Sequence, residues 1–175
     1  RDEEGILDEV VGGSAGVCSD LRRRLSLLAP IAEHCRHSDH DRAVHSAVTL
    51  GDEGVLCDLI RGLSRDSHVF TLDSFVLLLP ALDNVLHTSQ REESLVCVLQ
   101  LLQLLLRAFS HLLAATHATP APVGVDISAE ERRRKCERAF GLLQGIGAHL
   151  ATLKRRAGRV GPLARGLIAA IQSVG

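Results

Sequence analysis

The stretch Ser94-Leu-Val-Cys-Val-Leu-Gln-Leu-Leu-Gln-Leu-Leu-Leu-Arg-Ala-Phe-Ser-His-Leu-Leu-Ala-Ala115 decides the fold class. Leu95, Val98, Leu99, Leu102, Leu105, Leu106, Phe109, Leu112 and Leu113 recur at helical spacing and make one apolar face. Leu101, Leu104, Val96 and Ala108 widen that face almost to the full circumference, leaving Gln100, Gln103, Arg107 and His111 for water. The spacing predicts a helix over residues 90–116 that the other helices surround. Its polar strip interrupts the run as a membrane span, so a buried helix is expected and no membrane partner.

On both sides of this stretch the same period recurs, and the two-residue alternation of strands does not. Upstream, Leu21, Leu25, Leu28, Ala32 and Cys35 predict a helix over 19–37, with Pro30 inside it to kink or split it. Ala43, Val44, Ala47 and Val48 mark a second helix over 39–50, stopped by Gly51. A third begins at once with Asp52 as its N-cap, so the two read as an α-hairpin in a stacked array. A fourth, over 71–87, carries Pro80 and a second expected kink. Downstream, a Pro/Gly loop over 117–125 leads to a sixth helix opening at Asp126 or Ser128, where Ser128 and Glu131 have capping-box spacing. Its inward stripe is Cys136, Phe140, Leu143, Gly147 and Leu150, with Ile146 at the margin, and a seventh helix covers 163–173. The expected fold is all-α: a single domain of six to seven helices, an antiparallel array around the Leu-rich fifth. Residues 19–175 form that domain, and residues 1–18, acidic and then Gly-rich, read as a flexible linker.

Composition narrows the function. Four Phe, no Trp and no Tyr exclude an aromatic ligand cage and a base-stacking platform, so no nucleic-acid partner is expected. There is no Met, and the chain is expected to be a piece of a longer protein. Five cysteines without a C-x-x-C pair read as reduced thiols of a cytosolic or nuclear protein. The net charge of −1 hides an asymmetry: residues 1–127 carry ten basic and eighteen acidic side chains, residues 128–175 ten basic and three acidic. Such a split points to an acidic partner for the C-terminal part.

No motif of nucleophilic or acid–base catalysis is present: G-x-S-x-G is missing, and Glu92/Glu93 and Glu130/Glu131 sit at helix starts rather than across a cleft. No enzyme activity and no cofactor are expected. His34, Cys35, His37, Asp39, His40, Asp41 and His45 are loosely compatible with zinc, but they straddle a helix end and fit a His-rich helix terminus better, so no metal is assigned. The Arg-rich run is more informative, because guanidinium groups suit bidentate contact with carboxylates. On the sixth helix Arg134, Arg138, Arg155 and Arg156 project outward, with Gly141, Gly145, Ala148 and Thr152 on the same side.

The segment Val123-Gly-Val-Asp-Ile-Ser-Ala-Glu-Glu-Arg-Arg-Arg-Lys-Cys136 resembles the V-G-V-D-I-S-x-E-E-R-x-x-K-C segment in the C-terminal domain of katanin's regulatory B subunit. The resemblance covers residues 37–147 well and the last helix loosely; it departs in its scarce aromatics and its Arg- and Gly-rich C-terminal part. It implies a non-catalytic helical adaptor that pairs with the N-terminal domain of the ATPase (A) subunit. It further implies that the pair binds microtubules and spindle-pole or minus-end targeting proteins, and a place on the cytoskeleton at microtubules, spindle poles, and centrosome or basal body. Residues 1–18 would then be the linker from a WD-repeat propeller. The basic residues Arg132, Arg133, Arg134, Lys135, Arg138, Lys154, Arg155, Arg156 and Arg159 are the expected contacts for the acidic tails of tubulin. Leu25, Leu28, Phe70 and Phe75, near the prolines, are the expected apolar contacts for the A subunit, the alternative being that all four belong to the domain's own core. The competing reading is a general helical-repeat adaptor that holds a partner helix without touching a polymer.

Overall fold

In the computed structural model, which describes residues 2–118 and 126–174, seven α-helices and one 3-10 turn follow one another with no strand among the described residues. They are α1 (Asp2–Arg36), α2 (His40–Leu50), α3 (Glu53–Leu63), the 3-10 turn Ser67–Val69, α4 (Leu72–Thr88), α5 (Glu92–Ala118), α6 (Ile127–Leu153) and α7 (Val160–Val174). The expected 117–125 loop falls, from 119 on, outside the described residues.

Polar side chains at the starts set most boundaries. Asp39, Asp52, Thr71 and Asp126 each accept a backbone N–H of the first turn that has no helical partner. At the start of α6 the cap is Asp126, which accepts from the Ala129 N–H at 3.1 Å, rather than Ser128. Gly51 ends α2 in the left-handed region (φ 64°) that glycine enters without a steric penalty, and α3 follows at once. Helices α1 and α4 run on through Pro30 and Pro80; neither is split.

The helices stack as three hairpins, α2–α3, α4–α5 and α6–α7. Contacts run α2 to α4 to α6 in one layer and α3 to α5 to α7 in the other, and α1 lies on α2 and α3. Helix α5 touches α3, α4, α6 and α7 and buries Leu95, Val98, Leu99, Leu101, Leu102, Leu105 and Leu113 completely or nearly so. By length and composition it passes for a membrane span, yet its apolar surface is the shared wall of two hairpins. The inward stripe of α6 is Cys136, Ala139, Leu143, Ile146, Leu150 and Leu153, rotated slightly from expectation, with Phe140 half-buried.

Helix α1 departs most from the sequence reading. It starts at Asp2 and runs through Gly12-Gly-Ser-Ala-Gly16 rather than starting at residue 19. Residues 13–18 are all exposed, so this part is helical backbone standing clear of the hairpins.

Candidate docking surfaces

Helix α1 has two unlike faces. One is fastened to the body. Arg24 forks onto Asp58, with Nε donating to Oδ2 at 2.6 Å and Nη2 at 2.5 Å from Oδ1, and Nη2 also donates to the Gly54 carbonyl at 3.2 Å. Beside it Arg23 reaches Asp52 at 3.1 Å. The planar guanidinium suits this two-point grip, and the Asp58 hydrogen bond holds the Arg24 pKa above its ordinary value. Leu27, Leu28 and Ile31 then pack on the core.

The other face is open and apolar. Val17, Leu21 and Leu25 follow at intervals of four, so they form one stripe, and they are 59%, 53% and 66% exposed. They are three of the five large apolar residues that the described surface leaves exposed. Of the four expected apolar contacts, Leu25 lies on this stripe and Leu28 half-buried at its inner end. Phe70 and Phe75 do not. Phe70 is 6% exposed, and Phe75 has no accessible surface and stacks on Phe109 with centroids 4.9 Å apart. Both are core residues, the alternative given for them in the sequence reading. Val17 falls in the stretch read as a linker and Leu21 was read only as part of the helical period; their four-residue spacing onward to Leu25 is the signal that sets the three on one side.

The expected basic face is divided. Arg132, Arg134 and Arg138 are exposed near the start of α6. Lys154, Arg155 and Arg159 are exposed at the turn into α7, some twenty residues and about 30 Å along the helix from Arg134. Three further residues are committed within the fold. Lys135 bridges Asp73 on α4 at 2.7 Å and Glu131 at 2.9 Å, and the Asp73 hydrogen bond raises its pKa. Arg156 Nη2 donates to the Gln90 carbonyl at 3.1 Å, and Arg133 is half-buried. Gly141, Gly145, Ala148 and Thr152 are exposed between the two clusters.

Among the described residues no three His, Cys, Asp or Glu side chains converge as metal ligands, and the ring of His37 lies 3.0 Å from the Glu33 carbonyl oxygen near the end of α1. In the core the Cys57 thiol of α3 and the Cys97 thiol of α5 face each other. Cys97 Sγ lies 3.7 Å from the Cys57 carbonyl oxygen, and its thiol is pushed well up by its hydrogen bond to Cys57 and by burial. On α4 and α6, Asp83 meets His149 Nδ1 at 2.6 Å, with the His87 ring tilted 4.9 Å away.

The family model described as the con80 domain of Katanin matches residues 13–171. The chain is 29% identical over 165 residues to the katanin p80 WD40 repeat-containing subunit B1 of Gallus gallus, covering 94% of this chain and 25% of that protein. It is 29% identical over 154 residues to the subunit B1 homolog KTN80.3 of Arabidopsis thaliana, with 88% and 18% covered. To the Arabidopsis homolog KTN80.2 it is 29% identical over 174 residues, with 99% and 15% covered. The chain thus spans a quarter or less of these relatives' lengths. A stack of three α-hairpins with an outlying first helix, matched from the exposed part of that helix nearly to the end of α7, makes this chain a member of the katanin con80 family, the regulatory p80 subunit's C-terminal domain.

Proposed function

We propose that this domain is a non-catalytic docking module that joins the regulatory subunit to the N-terminal domain of the katanin ATPase subunit through α1. The observation that carries this is the stripe Val17, Leu21 and Leu25, exposed on a helix whose opposite face is fastened by Arg23 and Arg24. A helix anchored on one side and apolar on the other is a ready half of a helix-to-helix interface. A helical partner laid along it would desolvate all three side chains at the centre of the contact, where most binding free energy concentrates. Through that pairing, and through the exposed arginines of α6, the module would hold the complex on microtubules and present it to spindle-pole and minus-end targeting proteins.

Leu21→Glu with Leu25→Glu tests it, because both positions are exposed and the domain's own packing is untouched. Calorimetric titration with the ATPase N-terminal domain should show binding at least about 100-fold weaker, with helicity unchanged. Unchanged affinity in a folded variant would overturn the assignment. Salt separates this from the general-adaptor reading: microtubule cosedimentation that is lost as salt rises supports the present one, whereas binding that survives high salt and needs only an apolar peptide supports the adaptor.

A further inference from the structure

Arg23 and Arg24, which fasten α1 to α3, belong to a run of three arginines that a second kind of protein could read. Arg22-Arg23-Arg24-Leu25-Ser26-Leu27 places two guanidinium groups two and three residues before a serine and an apolar residue after it. This is the arrangement that basophilic serine kinases read, their acidic clefts pairing with the arginines. The Ser26 side chain is exposed, its hydroxyl donating only to the Arg23 carbonyl at 2.7 Å.

A kinase takes its substrate extended, so a serine inside a helix is useful only where the helix opens at little cost. Two observations place that point at Ser26. Pro30, four residues on, has no N–H, so the Ser26 carbonyl lacks its helical hydrogen bond. Residues 13–23 are exposed throughout, and the apolar contact of α1 with the core begins only at Leu27. Opening the helix through Leu27, the apolar residue that the kinase also reads, breaks backbone hydrogen bonds and the Arg23 and Arg24 ion pairs but frees only that one half-buried apolar side chain.

We propose that Ser26 is a phosphoacceptor for a basophilic serine kinase and that its phosphate weakens docking on α1. In the transfer, the Ser26 Oγ forms a bond to the γ-phosphorus of ATP as the bond to the bridging oxygen breaks. ADP leaves with that oxygen, and the hydroxyl proton passes to the kinase's base. The product carries a charge of about −1.5 to −2 at neutral pH. Arg22 and Arg23 lie one turn back on the same side of the helix, so the phosphate competes with Asp52 for Arg23. It also sets a doubly charged group next to Leu25. This last consequence rests on the docking reading of α1; the acceptor assignment does not.

The experiment uses the 175-residue chain, Mg-ATP and the catalytic subunit of cyclic-AMP-dependent protein kinase as probe. Peptide mass mapping should show one phosphate on the Ser26 peptide, none there in Ser26→Ala, and at least about tenfold slower labelling in Arg23→Gln, whose ion pair is exposed. The phosphorylated chain should bind the ATPase N-terminal domain about tenfold more weakly, while kinase-treated Ser26→Ala binds as before. Labelling spread over other serines, or equal in Ser26→Ala, would sink the acceptor assignment; equal binding of the phosphorylated chain would sink its consequence. Labelling is read without any partner, so failure of the docking site would appear separately, as normal binding by Leu21→Glu/Leu25→Glu.

Discussion

Phe75 and Phe109 lie almost parallel, 4° between ring planes, where α4 meets α5, and they are half of the chain's four aromatic residues. With so few large rings, each fills volume that leucines cannot cover without a gap. Phe75→Ala should therefore cost about 3–5 kcal/mol of folding free energy, near the upper end because the stacked partner is lost as well. Urea unfolding followed by circular dichroism measures it, and affinity for a partner per folded molecule should not change. Gly161 is a second sensitive position. It is buried in the first turn of α7, where an added Cβ would collide with the Arg156 carbonyl oxygen, and backbone cannot swing aside as a side chain can. Gly161→Ala should cost about 1–3 kcal/mol. Neither effect was legible in the sequence. Helical spacing told which side of a helix Phe75 lies on but not what covers that side, so a core residue and an interface residue looked alike. The same ambiguity acted in reverse at Leu21, whose period is that of a core residue and whose surroundings are solvent.

Helices α2, α3, α4 and α6 were legible because each opens on an Asp or Thr cap, and α5 and α7 because their apolar period is long and uninterrupted. The start of α1 lacked such a mark. Gly12, Gly13 and Gly16 suggest a linker because each costs a helix about 1 kcal/mol, yet no proline interrupts the backbone before Pro30 and the helix runs through. Ties between elements were hidden too, since the sequence separates Lys135 from Asp73 by some sixty residues. This tie joins α6 to α4, and its pH dependence has a definite sign. The Asp73 and Glu131 contacts raise the Lys135 pKa above about 10.5, so the folded state holds the proton more tightly than the unfolded chain. The stabilisation is fully present below that value and disappears as pH climbs through the higher folded-state value. Melting temperatures of the wild type and Lys135→Met should differ by a small constant amount from pH 7 to 10 and converge above it. A difference that instead grows above pH 10 would mean that the ion pair is not what Lys135 contributes.

At the scale of the molecule, the stacked hairpins make α6 a rod about 40 Å long with exposed cations at its two ends and small residues between them. The charge asymmetry was plain in the sequence; its division was not, because a helical projection shows angle and suppresses distance. That distance changes what the proposed contact with acidic tubulin tails must look like. The clusters are about 30 Å apart and the Debye length at physiological salt is about 8 Å, so neither feels the charge of the other through solvent. Each exposed ion pair contributes at most about 1 kcal/mol, so each cluster can hold a flexible acidic tail only through several contacts at once. Two independent patches predict additive losses. Arg134→Glu with Arg138→Glu should weaken microtubule cosedimentation by about tenfold, and Lys154→Glu with Arg155→Glu by a similar factor. The four together should weaken it by about the product, since well-separated sites add in free energy. Arg156 is left out of the set because its bond to the Gln90 carbonyl ties the α6–α7 turn to the start of α5, and changing it would confuse a binding loss with a folding loss. Each double variant should also show a shallower dependence of binding on salt than the wild type. If one pair alone abolishes binding while the other pair has no effect, the contact is a single patch. If all four substitutions leave binding unchanged, α6 faces only water and the polymer is held elsewhere in the complex.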